Sequence, residues 1–509
     1  MLGLYARVEG PSHLLGWFGL VPWLAALDRV TTQRRALAAG LIMTELFTAS
    51  VFFWFAEAIR NYTGASLYIA FGVLLLAGPL LQPQFLVFAV ARTAARSGGF
   101  WLTAIAGAGV YVGTEWLLPK LFYDTLGHGL VASTRMRQAA DVAGAPGLTF
   151  LLVIGNECVL ASARSWRASN SRRDPKPLLC LGAMIAALLL YGELRLRQLA
   201  PDGAAKRVTA AIIQANLSQY GRLAEEMGTY DAARMILDTH FALSRIALAR
   251  GGVEVLVWPE TVYPTTFGSP KSADGAAFDR EIAGFVAEAG IPLVFGTYDV
   301  QDGREYNAAV LLEPPAGGQT RFGSYLKARP FPFTERVPSF LDTDLVRGWF
   351  PWLGTWQAGQ GPGVLPLRVG GSELMVGPLI CYDAVAPDLV LQAARQGAEV
   401  IVTLSNDSWF SEGGGPRLHL VLSIFRTIET RRPQFRATTT GISAVIDATG
   451  AIVQSLAVHE RGVLVGSLPP VRQQRTLMMD WGDWFPPLAL VLGLGALAAA
   501  RRRRAATRP

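Results

Sequence analysis

The chain has 509 residues, a formal charge of +7 and only 17% charged residues, with a mean hydropathy of +0.30. That is too apolar for an ordinary soluble protein of this size, and the long apolar runs concentrate before residue 200 and in the C-terminal stretch, as membrane spans would. The arginine clusters sit at the ends of those runs, so the charge reads as topology information facing lipid headgroups; no nucleic-acid motif is present, and three cysteines (Cys158, Cys180, Cys381) exclude a disulfide framework.

Six apolar segments precede residue 200: Leu14–Leu27, Ala36–Ala58, Leu67–Val90, Phe100–Leu118, Gly147–Ala163 and Leu178–Leu194. The first is short for a span, and Pro79 with Pro83 predicts a kink or break in the third. Arg34 and Arg35, Arg92 and Arg96, and the group Arg164, Arg167, Arg172, Arg173 and Lys176 fall on one side. The Asn61–Gly64 turn, the Tyr123–Gly144 loop and everything after about residue 198 fall on the other. The positive-inside rule places the basic loops in the cytoplasm and the large middle region outside it. A last run, Trp484–Ala499, returns the chain to the cytoplasm, where Arg501–Arg504 lock the orientation. Seven spans with a cytoplasmic C-terminus put the N-terminus outside, yet residues 1–12 carry no leader. We therefore expect an upstream span missing from this chain, the alternative being that Leu14–Leu27 lies in the interface. Glu45, Glu57, Glu115 and Glu157 inside these runs would suit a transporter, but Glu57 and Glu115 lie near segment ends, where snorkelling suffices.

After Arg207 short β-rich runs alternate with amphipathic helices. Val208–Ile213 reads as a strand and Asp231–Arg250 as a helix. Val253–Val257 is a strand ending in Trp258-Pro259-Glu260. A helix carrying Phe278, Ile282 and Phe285 leads to the strand Pro292–Thr297. Asn307–Leu312 and Arg321–Leu326 form an antiparallel pair, the second stopping at Lys327. The apolar run Leu374–Ile380 ends at Cys381, and Pro387-Asp388 starts a helix. Val400–Leu404 stops at Ser405-Asn406-Asp407, a helix runs from about Pro416 to Thr430, and four short strands follow up to Val465. This alternation predicts an α/β domain of mixed sheets covered by helices. Trp349, Trp352 and Trp356 read equally as an interfacial belt or as core.

Three strands thus end in reactive side chains. Singly, Glu260 is a helix-start acid, Lys327 a solvated cation and Cys381 a core residue. Together they meet the needs of acyl transfer through a thioester. The thiolate is the nucleophile, and the ammonium lowers the thiol pKa and steadies an oxyanion. The carboxylate takes the thiol proton and later that of an attacking amine. The five histidines show no spacing for a Cys-His dyad or a metal site.

The segments VWPET (Val257–Thr261), YLKARPFPFTERVP (Tyr325–Pro338), ICYDAVAPDLV (Ile380–Val390) and TLSNDSWF (Thr403–Phe410) resemble the carbon–nitrogen hydrolase, or nitrilase, superfamily with its Glu-Lys-Cys triad. With the run Gly415–Gly450 and the flanking membrane helices, nearly the whole chain resembles the apolipoprotein N-acyltransferase family. The resemblance implies a nitrilase-like αββα sandwich inserted between transmembrane helices, with Cys381 as nucleophile, Glu260 as base and Lys327 as oxyanion cation. Glu335 matches a second, supporting glutamate and Tyr382 the aromatic residue after the cysteine. Asp383 stands where the family usually has Glu, one methylene shorter. A Lys-Trp pair usual after the first soluble strand is replaced here by Ser218-Gln219-Tyr220-Gly221.

The resemblance also implies a bacterial inner-membrane enzyme needing no cofactor, with its catalytic domain facing the periplasm. It would move an acyl chain from a membrane phospholipid to the amine of a diacylglyceryl-modified apolipoprotein. The expected divisions are 1–198 (transmembrane helices), 205–470 (carbon–nitrogen hydrolase domain) and 480–509 (a final span with a basic tail). The triad alone leaves a membrane-tethered amidase or nitrilase open as an alternative, since it does not say who attacks the thioester. A third alternative is a degenerate binding module on a transporter-like base, in which Cys381 is dispensable.

Overall fold

The computed structural model describes residue 5 and residues 7–167, 174–199, 206–217, 220–317, 319–350, 353–408, 410, 413–472 and 474–506. The chain divides into two compact units. One comprises Met1–Ala200, Gly413–Glu429 and Thr476–Pro509; the other comprises Pro201–Glu412 and Thr430–Arg475.

The first unit is helical. Among the described residues three helices are long and apolar enough to cross a membrane, Met136–Arg167, Lys176–Gln198 and Phe485–Ala506. Two bent pairs raise the number to five, Gln33–Val51 with Phe53–Thr63 (69°) and Leu67–Leu81 with Gln84–Gly98 (46°). The second bend falls at Pro83, where the sequence puts a break. The first has no proline. Phe52 leaves the helical region (φ −110°, ψ 12°), and the Phe55 N–H turns to Phe52 O (2.8 Å). The Val51 carbonyl so released accepts the Trp54 indole N–H at 2.8 Å, a side chain entering the helical ladder. Leu14–Leu27 resolves into two short helices, Ser12–Leu15 and Val21–Asp28, neither long enough to span. Phe100–Leu117 is the remaining apolar helix, with its central residues buried.

Small residues let Phe100–Leu117 and Phe485–Ala506 pack with their backbones close. A Cβ on Gly109 would lie 2.3 Å from the Ala489 carbonyl, and one on Gly493 would lie 2.7 Å from Val110 N. This is the close approach by which helices associate without a hydrophobic drive between them. Two of the acids in these runs are paired: Glu157 takes both Nε and Nη2 of Arg92 (2.9 Å to Nη2), and Lys120 meets Glu115 at 3.1 Å. Arg92 and Arg164 share Asp28, Arg96 donates to the Asp28 and Val30 carbonyls, and Arg503 donates to Gly98 O. The basic ends of several helices therefore gather at one end of the unit. The helix Gly414–Thr430, inside the stretch expected to be wholly catalytic, belongs almost entirely to this helical unit.

The second unit is built on twelve strands among the described residues. They are β1 (Val208–Gln214), β2 (Val255–Val257), β3 (Leu293–Gln301), β4 (Arg304–Ala316), β5 (Gln319–Leu326), β6 (Leu365–Val369), β7 (Ser372–Ile380), β8 (Val400–Ser405), β9 (Gln434–Thr438), β10 (Ser443–Ile446), β11 (Ile452–Leu456) and β12 (Gly462–Leu468). They form two six-stranded sheets, ordered β12-β1-β2-β3-β4-β5 and β11-β10-β9-β8-β7-β6. In each a parallel trio (β1-β2-β3, β7-β8-β9) is flanked by antiparallel strands. The two sheets thus repeat one topology.

Strand periodicity explains the layering. Ala210 and Ile212 of β1, Val255 and Val257 of β2, Val376 and Ile380 of β7 and Val400 and Val402 of β8 share one core. The alternate residues Ala211, Ile213, Leu256 and Phe295 face the helices Thr229–Ala249 and Ala273–Ala289 through Leu237, Phe241, Ile282 and Phe285. On the second sheet Leu379 and Ile401 pack with Leu389 and Val390 of the helix Pro387–Arg395. Strands covered on both faces read as continuous apolar runs, and the result is the expected αββα sandwich.

Candidate active site

Glu260, Lys327 and Cys381 each follow directly on a strand or its extension, and all are buried. Pro259 cannot donate to a ladder and so ends β2; the chain then crosses β3 closely, for a Cβ on Gly296 would lie 2.5 Å from Glu260 Cα. Lys327 leaves β5 with its N–H bonded to Asn307 O (2.8 Å).

Two carboxylates meet on one nitrogen. Lys327 Nζ lies 3.1 Å from Glu260 Oε1 and 2.7 Å from Glu335 Oε1. Asn307 Nδ2 donates to the same two oxygens at 2.7 and 3.3 Å. The outer oxygens are held by backbone: Asn406 N–H donates to Glu260 Oε2 (2.7 Å) and Phe331 N–H to Glu335 Oε2 (2.5 Å). Asn307 is thus the strut between the carboxylates. Asn307, the fourth residue of β4, carried no sequence signal for this role, since its partners lie far away in the chain.

Cys381 has φ +47°, a left-handed conformation that costs a non-glycine residue on the order of 1–3 kcal/mol. It turns β7 sharply into a short 3₁₀ segment, Cys381–Val385. Asp383 holds that turn. Its carboxylate accepts from Ile380 N–H (3.0 Å), Arg329 N–H (2.7 Å) and Tyr325 OH (3.0 Å). At about 1.5–3 kcal/mol for a bond to a charged group, these three outweigh the strain. The shorter acid therefore bonds back onto the backbone just before the nucleophile and ties that turn to the chain after Lys327. Tyr382 packs edge-on against Phe331, with ring centroids 4.9 Å apart.

The electrostatics follow from crowding three acids around one cation. Burial pushes the Cys381 thiol well above its usual pKa; Glu260 adds to this, and Lys327 opposes it. Burial also raises Glu260, against Lys327 and with Glu335. Burial alone would depress Lys327, but Glu260 and then Glu335 and Cys381 hold it well above the usual lysine range. Asp383 is raised to about 6 by burial. Burial thus disfavours the ionised forms of both Cys381 and Glu260, while Lys327 favours them. A further buried acid, Asp407, has an oxygen within 4.8 Å of the Cys381 sulfur. It is tied to Arg436 (3.2 Å) and Ser405 Oγ (2.7 Å).

The tryptophan cluster divides. Trp349 is 69% exposed, Trp356 stacks obliquely on Tyr298 (4.6 Å), and Trp352 lies outside the described residues, as do Ser218 and Gln219.

Residues 194–476 match the carbon-nitrogen hydrolase family, and residues 6–158 match the apolipoprotein N-acyltransferase N-terminal domain. The apolipoprotein N-acyltransferase of Caulobacter vibrioides is 30% identical, over 98% of this chain and 93% of its own. That of Geobacter metallireducens is 27% identical, over 96% and 91% respectively. Among solved structures, an amidase from Nesterenkonia sp. aligns at 21% identity and a TM-score of 0.37, covering 54% of this chain and 94% of that one.

Proposed function

Because the chain belongs to the apolipoprotein N-acyltransferase family of carbon–nitrogen hydrolases, we propose that it N-acylates lipoproteins by a two-step exchange on Cys381, with a membrane phospholipid as donor. In the first step the thiol proton passes to Glu260 while Sγ attacks the ester carbonyl. The new C–S bond leaves an oxyanion, which the Lys327 ammonium stabilises. Collapse breaks the ester C–O bond, and the proton held by Glu260 goes to the departing lysophospholipid alkoxide. In the second step the α-amine of an S-diacylglyceryl cysteine attacks the thioester and gives its proton to Glu260. Expulsion of sulfur leaves an amide, and the thiol is restored.

The reading rests on one observation above the others: Lys327 Nζ lies within 3.1 Å of Glu260 and 2.7 Å of Glu335, while burial keeps Cys381 a thiol. Such a site needs a built-in base, and Glu260 is fixed as one by Asn307 and the Asn406 amide. Glu335 and Asn307 act through Lys327 and Glu260, and Asp383 acts through the turn it pins. The apolar helices supply the membrane base, restricting two lipid substrates to a plane. With the basic helix ends in the cytoplasm, the catalytic unit faces the periplasm of the inner membrane.

The test is intact-mass analysis of the purified full chain incubated with phospholipid. We expect one fatty-acyl addition, absent in Cys381→Ala and discharged by a lipopeptide bearing a free N-terminal amine. An addition that persists in Cys381→Ala overturns the reading. So does hydrolysis of a small amide without lipid, together with no lipid-dependent mass gain.

A further inference from the structure

The helical unit contains a second polar site, formed by none of the groups assigned above. A cavity of about 140 Å³ opens where the helices Gln33–Val51 and Phe53–Thr63 bend, lined by Arg7, Arg417, Ser50, Tyr5, Trp54 and Gly414. Two arginines thus line one small space, Arg7 exposed and Arg417 half-buried. Neither has a carboxylate partner among the described residues, although other arginines of the unit do: Arg92 with Asp28 and Glu157, Arg195 with Asp141, Arg426 with Glu429. Burial, and then the charge of Arg7, depress the pKa of Arg417; an anion between them would reverse the second effect.

Two further features favour an anion there. The helix Gly414–Thr430 begins at the cavity, so its amino end, the positive end of its dipole, lies against it. Gly414 seats that terminus, since a Cβ on it would lie 2.2 Å from Trp54 Cδ1. The walls of Tyr5, Phe53 and Trp54 are aromatic, amphipathic surfaces of the kind found at headgroup level.

Depth identifies the source of the anion. Gln33 starts at the basic end of the unit, where Arg96 holds the Val30 carbonyl. From there 19 residues lead to the bend, a rise of roughly 28 Å at 1.5 Å per residue, close to the thickness of a hydrocarbon core. The cavity therefore lies at the headgroup level of the leaflet opposite the basic loops. The anions concentrated at that level are lipid phosphates.

We propose that this cavity binds the phosphodiester of a phospholipid in that leaflet, with Arg7 and Arg417 as its two cationic contacts. The proposal rests on the membrane reading of the helical unit and not on the thioester chemistry. It is therefore tested on the full chain carrying Cys381→Ala, where no acyl transfer is involved. The probe is short-chain phosphatidylglycerol below its micelle concentration, with diacylglycerol of the same chains and inorganic phosphate as separate arms, read by native mass spectrometry.

Arg7→Ala with Arg417→Ala should weaken phosphatidylglycerol binding at least tenfold and leave diacylglycerol binding unchanged. Arg7→Lys with Arg417→Lys, which keeps both charges should the alanine pair fold poorly, should stay within threefold of the parent. The proposal is overturned by alanine variants that bind within twofold of the parent, or by lysine variants that lose as much as the alanine pair. It is also overturned if inorganic phosphate alone displaces the lipid at equal concentration, since the cavity would then take a free anion.

Discussion

Replacing Lys327 by Met keeps most of the side chain's reach, one atom short, and removes its charge. In the parent, Nζ stands 3.1 Å from Glu260 and 2.7 Å from Glu335, and the lysine side chain is only 2% exposed. Breaking a buried pair by removing one partner costs about 3–5 kcal/mol, because the remaining charge is uncompensated. Two carboxylates would then face each other across Asn307, and one would take up a proton. The chemical step loses its oxyanion cation, worth about 10²–10³ in rate for a single donor. It also loses the ionised base at neutral pH, so the combined loss should be at least about 10³-fold. The assay is single-turnover acylation of Cys381 from phospholipid, followed by mass, at several pH values. Because Lys327 holds the Glu260 pKa down, the acid limb in Lys327→Met should move to higher pH, and raising the pH should recover part of the lost rate. Acylation within tenfold of the parent at neutral pH, or an unmoved acid limb, would refute the roles given to Glu260 and Lys327.

In the parent the acylation rate should fall as pH drops through the Glu260 pKa, with a midpoint above the ordinary carboxylate value of about 4.3 because burial raises it; a midpoint at or below that value contradicts the assignment. Asp383, at about 6 in the folded chain against about 3.9 unfolded, binds its proton more tightly when folded. Its contribution to stability is therefore full below pH 4 and lost as pH rises through 6, by about 3 kcal/mol. Asp383→Asn should flatten the unfolding midpoint between pH 4 and 6 while slowing acylation, because its amide N–H would meet a donor; an unchanged pH slope counts against this. Gly493→Ala drives a Cβ into backbone atoms of the facing helix and should cost about 1–3 kcal/mol by overpacking, read as a lowered unfolding midpoint in detergent. Gly495→Ala, which meets nothing within 4 Å, is the matched control.

Strand ends were the most legible part of the sequence. An apolar run stopping at Glu260 or Cys381 is visible because both faces of a covered sheet strand are apolar, so the first reactive residue after it stands out; Lys327 instead ends a polar edge strand, Gln319–Leu326. The bend at Pro83 was legible for the same local reason, a missing donor. The bend at Phe52 was not, since it depends on an indole capturing a released carbonyl, a contact no periodicity reports. Asn307, Asp407 and Arg436 were likewise invisible as site residues: each matters through partners far away in the chain, such as Asn307 with Glu260 at a separation of 47 residues. The left-handed backbone at Cys381 was hidden too, because nothing in a cysteine's identity announces positive φ. The helix Gly414–Thr430 was found close to its limits, but its allegiance to the helical unit follows from tertiary packing alone.

That allegiance makes the enzyme indivisible. Its polypeptide leaves the helical unit after residue 200, returns for one helix at 413, departs again at 430 and comes back for good at 476. Leu418, Leu420, Val421, Leu422, Ile424, Phe425 and Ile428 of the returning helix are all 5% exposed or less. A fragment such as 201–475, freed by a protease or a cloning boundary, would carry that oily rod into water without its neighbours, and the rod would seek a bilayer or another copy of itself. Attachment to the membrane is thus threaded through the middle of the catalytic sequence, and no single cut releases a soluble acyltransferase.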